Sequence, residues 1–362
     1  MVGLQSITLG KNNTSKIAIL YDSFHGTVGG EPKVLLQLAK GLRADVITTV
    51  FSRELYPNFN DVCVHSFIEE GQKMSFLKNI ITFLHLDLSN YDVVITGGRL
   101  PMLISIKKER PYQIHYEQPP AISTSILYRI HEADRYKFSS LLRLPLKVIV
   151  KHIDLFVANS LYLKERILKY YGVNAKVIYP PVDIEKFRYK SCGDYFLSVQ
   201  RFTPAKRVEI QLEAFKKLQN ERLIVAGALV DCNYLRKLQK VAPKNVEFIL
   251  NPSDSELIEL YANCKATIQT SMEEPFGLVP IESMAAGKPC IAVNEGGFKE
   301  TIVHGKTGIL INKPYVNNLV NVIKNFDKYN FNPKLLRKRA EYFSLEKFII
   351  NFKQLIKKVS KF

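Results

Sequence analysis

The apolar and polar positions of this chain fall into two alternating patterns. Short, nearly continuous apolar runs occupy 16–22 (KIAILYD), 44–51, 91–96 (YDVVIT), 112–117, 154–160 (DLFVANS) and 176–182. They recur at 195–201 (YFLSVQR), 223–227, 246–250, 266–271, 289–293 and 307–311. Runs of this length, bounded by Gly, Pro or Asn, predict strands buried on both faces. Between them lie segments with apolar residues at helical spacing. These predict helices over 34–42, 67–88, 161–171 (stopped by Gly172), 208–218 and 278–286, and one from Asp254, taken as its cap, to Cys264. From Tyr315 onward the pattern is helical to the end. Strand–helix alternation of this kind builds parallel βαβ units and doubly wound sheets. The alternation pauses once, at the polar stretch Asp183 to Gly193, and then restarts. The expected class is therefore α/β, with two Rossmann-like domains, 1–185 and 186–340, facing each other across a cleft.

Bulk composition narrows the class without naming a function. The chain has 362 residues, 46% hydrophobic and 23% charged, which is globular and long enough for two domains. No stretch approaches the roughly 20 apolar residues that span a bilayer. The first sixteen residues lack a basic start followed by an apolar run, so no secretory leader is expected and the location reads as cytoplasmic. Five cysteines, at 63, 192, 232, 264 and 290, are scattered and form no C-x-x-C, which argues against a disulfide framework or a zinc site. The net charge of +17 draws the protein toward polyanions: nucleic acid, anionic lipid or a phosphorylated substrate. The segment 123–152 interleaves Arg129, Arg135, Lys137, Arg143, Lys147 and Lys151 with aromatic and leucine residues. Such a segment either lies on an anionic membrane surface or packs as helices with its cations solvated.

The candidate chemistry centres on Ser271 to Glu300, SMEEPFGLVPIESMAAGKPCIAVNEGGFKE. Glu274 and Glu282 are separated by seven residues, with a Pro275-Phe276-Gly277 turn between them. The turn places Glu274 in a loop and Glu282 in the first turns of a helix. The amides of Phe276, Gly277 and Leu278 then become helix-start donors that attract an anion such as phosphate. A carboxylate beside an anion site, and a second one turn deeper, suit a ligand that carries both phosphates and hydroxyls. Arg201 and Lys206, in the strand-to-helix turn RFTPAKR, can together neutralise a diphosphate. Gly29-Gly30 follow the first strand at a helix start, and Gly296-Gly297 form a second glycine turn whose backbone could meet sugar or phosphate. His115 sits near the carboxyl end of a strand, where open α/β sheets bind ligands.

The segment resembles the E-x7-E signature of the retaining glycosyltransferases of family 4. Glu274, Pro275-Phe276-Gly277, Glu282, Ala285-Ala286-Gly287, Pro289, Gly296-Gly297 and Glu300 carry the resemblance, and Arg201 and Lys206 resemble the family's Arg-x4-Lys pair. The resemblance implies the GT-B architecture, with the last helix, 341–362, crossing back to the first domain. It implies a nucleoside-diphosphate sugar as donor: Glu282 on ribose hydroxyls, Arg201 and Lys206 on the diphosphate, Glu274 on sugar hydroxyls and the oxocarbenium-like centre. It also implies retention of configuration, with no metal and no cofactor beyond the donor. His115-Tyr116 and Tyr179-Pro180-Pro181 resemble segments of dolichol-pathway mannosyltransferases. They point to GDP-mannose ahead of a UDP-hexose, and to a lipid-linked acceptor ahead of a soluble polysaccharide, which would seat the protein peripherally on the cytoplasmic membrane face. The family's glycine loop commonly has Glu two places after the glycines; here Glu31 is one place after and Pro32 takes the expected position.

Two other classes compete. A nucleic-acid binder would account for the charge but should concentrate its cations in a reading helix, and none of the usual motifs occurs. A dinucleotide-dependent oxidoreductase should show G-x-G-x-x-G after the first strand, and FHGTVGG does not have that spacing. A non-catalytic sugar-nucleotide binder stays open, opposed by the presence of the charged residues named above.

Overall fold

The computed structural model describes residues 16–25, 30–118, 147–191 and 193–360. Gly29 and most of the basic segment, 123–146, lie outside the described residues. Two parallel sheets organise the chain. The first has seven strands: β1 (Ile17–Tyr21), β2 (Asp45–Thr48), β3 (Val64–Ser66), β4 (Val93–Thr96), β5 (Tyr112–Glu117), β6 (Leu155–Ala158) and β7 (Ala175–Val177). Their spatial order is β3-β2-β1-β4-β5-β6-β7. The second has six: β8 (Tyr195–Val199), β9 (Arg222–Gly227), β10 (Val246–Leu250), β11 (Thr267–Gln269), β12 (Cys290–Val293) and β13 (Gly308–Ile311), in the order β10-β9-β8-β11-β12-β13. Both orders reverse beside the first strand, between β1 and β4 and between β8 and β11. That switch point is where an open α/β sheet leaves a crevice at its carboxyl edge.

The continuous apolar runs have a packing reason. In β1, Ile19 belongs to one core while Ala18 and Leu20 belong to another on the opposite face. In β9, Leu223 and Val225 face one layer and Ile224 and Ala226 the other. Side chains alternate across a strand, so a sheet covered on both faces needs apolar residues at every position.

The last helix, Leu345–Val359, buries Phe348, Ile349, Phe352, Leu355 and Ile356 along one stripe. Those residues join the core of the first sheet, with the Phe352 ring centroid 5.3 Å from that of Tyr116. A helix encoded after the second sheet therefore completes the first.

Several local expectations differ from the structure. The helical segment expected over 67–88 is a helix only over Phe76–His85, capped by the Ser75 side chain. Gly71, at φ +89°, breaks the pattern before it. The cap of Asp254–Asn263 is Ser253, not Asp254: its hydroxyl accepts from Glu256 N while the Glu256 side chain returns to Ser253 N, a reciprocal capping box. The first helix begins at Gly30, which puts Pro32 third, still among the amides that lack an intrahelical acceptor. The tail is three helices, Val316–Lys324, Pro333–Ala340 and Leu345–Val359.

Candidate functional site

The loop after β11 leads into the helix Leu278–Ala285, and its geometry places the carboxylates. Gly277 takes φ +90° at the helix cap, where a Cβ would meet the Phe298 ring at 2.6 Å. Among the described residues, no hydrogen-bond acceptor meets the amides of Phe276, Gly277 or Leu278. The Phe276 side chain is buried and stacks on Tyr179 at 5.4 Å, so only its backbone is available to a ligand.

Lys206, at the end of the short turn Pro204–Lys206, reaches Glu274 with Nζ 2.6 Å from Oε2. The two loops are tied together: Thr270 donates to the Lys206 carbonyl at 2.8 Å, and Met272 N donates to Ala205 O at 2.8 Å. Burial pushes the Glu274 carboxyl up, but the Lys206 charge and hydrogen bond, the Arg201 charge and a Ser271 hydrogen bond outweigh it and hold the pKa below the ordinary value. Arg201, Lys206 and Glu274 thus share one electrostatic centre. Next to it, Arg207 and Glu273 both adopt positive φ, 51° and 48°. Arg207 pairs bidentately with Glu295 at 3.0 and 2.9 Å.

Glu282 lies in the helix behind this loop. It accepts a hydrogen bond from the buried Tyr261 hydroxyl. Burial raises its pKa, against the Tyr261 bond and the Lys33 charge, which both lower it. Lys33 belongs to the first helix of the other sheet, so Glu282 already feels a cation from across the crevice. Gly30 comes to the same place: a Cβ there would stand 3.3 Å from Leu278 Cδ1.

Gly296 and Gly297 act as a brace. A Cβ on Gly296 would lie 2.2 Å from the Glu274 carbonyl oxygen, and one on Gly297 would lie 2.4 Å from Phe276 Cα. The Gly297 amide donates to Glu274 O at 2.8 Å. That amide is spent on shaping the Glu274 loop. Replacing Gly296 by Ala, at φ +57° and against backbone, should therefore displace Glu274. We expect at least a tenfold loss of turnover and a lower thermal midpoint, read by initial rates and thermal denaturation.

His115 is buried, with Nδ1 3.0 Å from Thr96 Oγ1 and Nε2 2.9 Å from Glu117 Oε2. Both ring nitrogens thus have protein partners. Around it gather Asp22, which accepts Arg99 N and Leu100 N at 2.9 and 2.8 Å, and Glu31, which accepts from Tyr21 at 3.3 Å. Burial first, then the Glu117 and Asp22 charges, push Glu31 up to about 8. At neutral pH Glu31 is mostly protonated and can donate as well as accept. Its Oε1 is buried with no partner among the described residues. Sequence reasoning missed Glu31; its one signal was a carboxylate directly after Gly-Gly.

Glu300 was likewise visible only as part of a motif. Its Oε2 accepts Leu161 N at 2.7 Å and its Oε1 accepts Tyr162 N at 2.8 Å, so it caps a helix of the opposite sheet, Leu161–Tyr171. Ser160 donates to Pro275 O at 2.6 Å, and Arg166 lies 3.3 Å from Glu273. A cavity of about 430 Å³ opens beside these contacts, between Tyr162 and the group Arg207, Glu273, Glu295, Gly296 and Lys299. No helix among the described residues is long and apolar enough to cross a membrane.

Two family models match consecutive parts of the chain: "Glycosyltransferase Family 4" over residues 28–186 and "Glycosyl transferases group 1" over 183–342. An uncharacterised glycosyltransferase of Methanocaldococcus jannaschii is 26% identical over 82% of this chain and 84% of its own length. The alpha-1,3/1,6-mannosyltransferase ALG2 of Dictyostelium discoideum is 31% identical over 46% of each chain. The mouse GDP-Man:Man(3)GlcNAc(2)-PP-Dol alpha-1,2-mannosyltransferase is 30% identical over 41% of this chain and 36% of its own. The chain thus spans less than half the length of these two mannosyltransferases. In fold it matches Anabaena Alr3699/HepE in complex with UDP and glucose, at TM-score 0.77 and 19% identity, over 95% of this chain and 100% of that one. With the paired sheets, the crevice and both halves accounted for, the chain belongs to glycosyltransferase family 4 and has the GT-B fold.

Proposed function

We propose that this protein transfers mannose from GDP-mannose to a hydroxyl of a lipid-linked saccharide, with retention of configuration and without a metal ion. The observation that carries the transfer chemistry is the Lys206–Glu274 contact of 2.6 Å beside the open helix start at Gly277. The choice of mannose rests on the relatives named for mannosyl transfer and on the His115-Tyr116 segment. In this reading the diphosphate lies against Arg201, Lys206 and the amides of Gly277 and Leu278. Their charges stabilise the phosphate as the bond to C1 breaks. Glu282 binds the ribose hydroxyls. Glu274 hydrogen-bonds the sugar and steadies the positive charge that develops at C1. The acceptor hydroxyl attacks C1 from the face the phosphate leaves, and its proton passes to the departing phosphate oxygen. The acceptor enters along Gly30 and Glu31, while His115 orients Glu117 from below. The enzyme works at the cytoplasmic face of a membrane, where a lipid-linked acceptor presents its sugar.

Calorimetry against GDP-mannose, UDP-glucose and UDP-galactose tests the donor. GDP-mannose should bind at least tenfold more tightly than either UDP sugar, and Glu282→Ala should weaken it by about 1–3 kcal/mol through the lost hydrogen bonds. Preference for a UDP sugar would overturn mannose, and unchanged affinity in the variant would overturn the role of Glu282.

A further inference from the structure

A second cluster of ligating side chains lies at the far end of the first sheet. Asp45 opens β2; Cys63 and His65 bracket Val64 at the start of the edge strand β3. The parallel register pairs Val46 with Val64 and Ile47 with His65, which sets Cys63 opposite Asp45. Residues two apart on a strand share a face, so Cys63, His65 and Asp45 converge. Their ligating atoms all lie within 4.8 Å of one another. Cys63 Sγ is 3.5 Å from His65 Nε2. A thiolate and an imidazole on one tetrahedral zinc, with bonds of about 2.3 and 2.0 Å, stand about 3.5 Å apart. Tyr91 donates to Asp45 Oδ2 at 2.9 Å, the kind of outer hydrogen bond that orients a ligating carboxylate.

We propose that Asp45, Cys63 and His65 bind one zinc-class divalent cation, with water in the fourth position. A thiolate, an imidazole and a carboxylate together select a borderline-soft ion over Mg²⁺ or Ca²⁺. The site is at the amino ends of the strands, whereas the sugar-transfer crevice is at their carboxyl ends. It is therefore a staple, not part of the transfer chemistry. The strand it holds has three residues and one neighbour, β2, so an added bond there stiffens a weak edge. The absence of C-x-x-C hid it: the motif is C-x-H on a strand, completed by an acid from the neighbouring strand.

The test uses the full chain, purified with chelator and titrated with Zn²⁺ or Mg²⁺. One equivalent of Zn²⁺ should bind at micromolar or tighter affinity and raise the thermal midpoint by about 5 °C at hundredfold excess over its dissociation constant. Mg²⁺ should do neither. Co²⁺ should give a thiolate charge-transfer band. Cys63→Ser and His65→Gln should each weaken Zn²⁺ binding at least tenfold, and Cys63→Ser should abolish that band, while glycosyl transfer stays within twofold. Cys232→Ser, at another exposed cysteine, should change nothing. The proposal is overturned if zinc fails to bind, or if tight binding and the cobalt band survive in Cys63→Ser.

Discussion

Replacing Lys206 by Met should lower kcat by about 10²- to 10³-fold, the loss typical of removing one preorganised group from a site of developing charge. Lys206 bears on two negative charges at once. In the structure it balances Glu274 at 2.6 Å. In the reading proposed above it shares that charge with the donor phosphates. The substitution therefore has a second signature. Burial drives the Glu274 carboxyl upward, and Lys206 heads the group of interactions that hold it down. Remove Lys206 and burial gains, so the pKa rises. In that same reading Glu274 acts as a carboxylate, so activity should be lost as pH falls through its folded pKa. The acid limb of the kcat/KM profile should accordingly move to higher pH in Lys206→Met, with the alkaline limb unmoved. A variant that melts with the parent, keeps kcat within threefold and shows no movement of the acid limb would remove Lys206 from the chemistry. Lys206→Arg should restore part of the rate, because it keeps the charge but changes its shape.

Replacing Glu300 by Ala should loosen the two halves of the molecule. Its carboxylate accepts two amides at the start of a helix from the opposite sheet, at 2.7 and 2.8 Å. Such charge-assisted bonds at a helix start, where the dipole also favours an anion, are worth about 1–3 kcal/mol together once solvent competes. Losing about 2 kcal/mol corresponds to roughly a 30-fold shift toward separated domains. The expected result is a rise in KM for both substrates, larger than any fall in kcat, with the thermal midpoint nearly kept because each sheet retains its own core. Small-angle scattering of the free protein should show a larger radius of gyration. A fall in kcat alone, with unchanged KM and unchanged scattering, would place Glu300 in the chemistry and not in closure. Ser160→Ala, which removes the 2.6 Å bond to the Pro275 carbonyl, should act in the same direction but less strongly.

Both predictions involve pairs that lie far apart along the chain: 68 positions for Lys206 and Glu274, 139 for Leu161 and Glu300. Their motifs could be recognised in the sequence, but their partners could not. The loop Glu274 to Leu278 shows the division well. The turn signal and apolar run give a helix start, and Gly277 is found at its cap with φ +90°. That Gly296 presses against the Glu274 carbonyl depends on how two loops meet after β11 and β12 have paired. His115 gives the same lesson. Its place near the end of β5 was legible from the alternation, yet its burial against Thr96 and Glu117 was not.

The order of residues was enough to specify what depends on neighbours in the chain: buried strands from continuous apolar runs, helices from their spacing, two doubly wound units, and the family from its acid pair. These follow from short-range periodicity and turn chemistry, which a linear string carries in full. Tertiary structure alone decided the charge states and the contacts. Glu31 is raised to about 8 because the crevice buries it among other acids, Glu274 is lowered because two loops deliver Lys206 to it, and Cys63 meets Asp45 only through strand register. Desolvation and Coulomb energy depend on distances through space, and those exist only once the sheets have formed and faced each other.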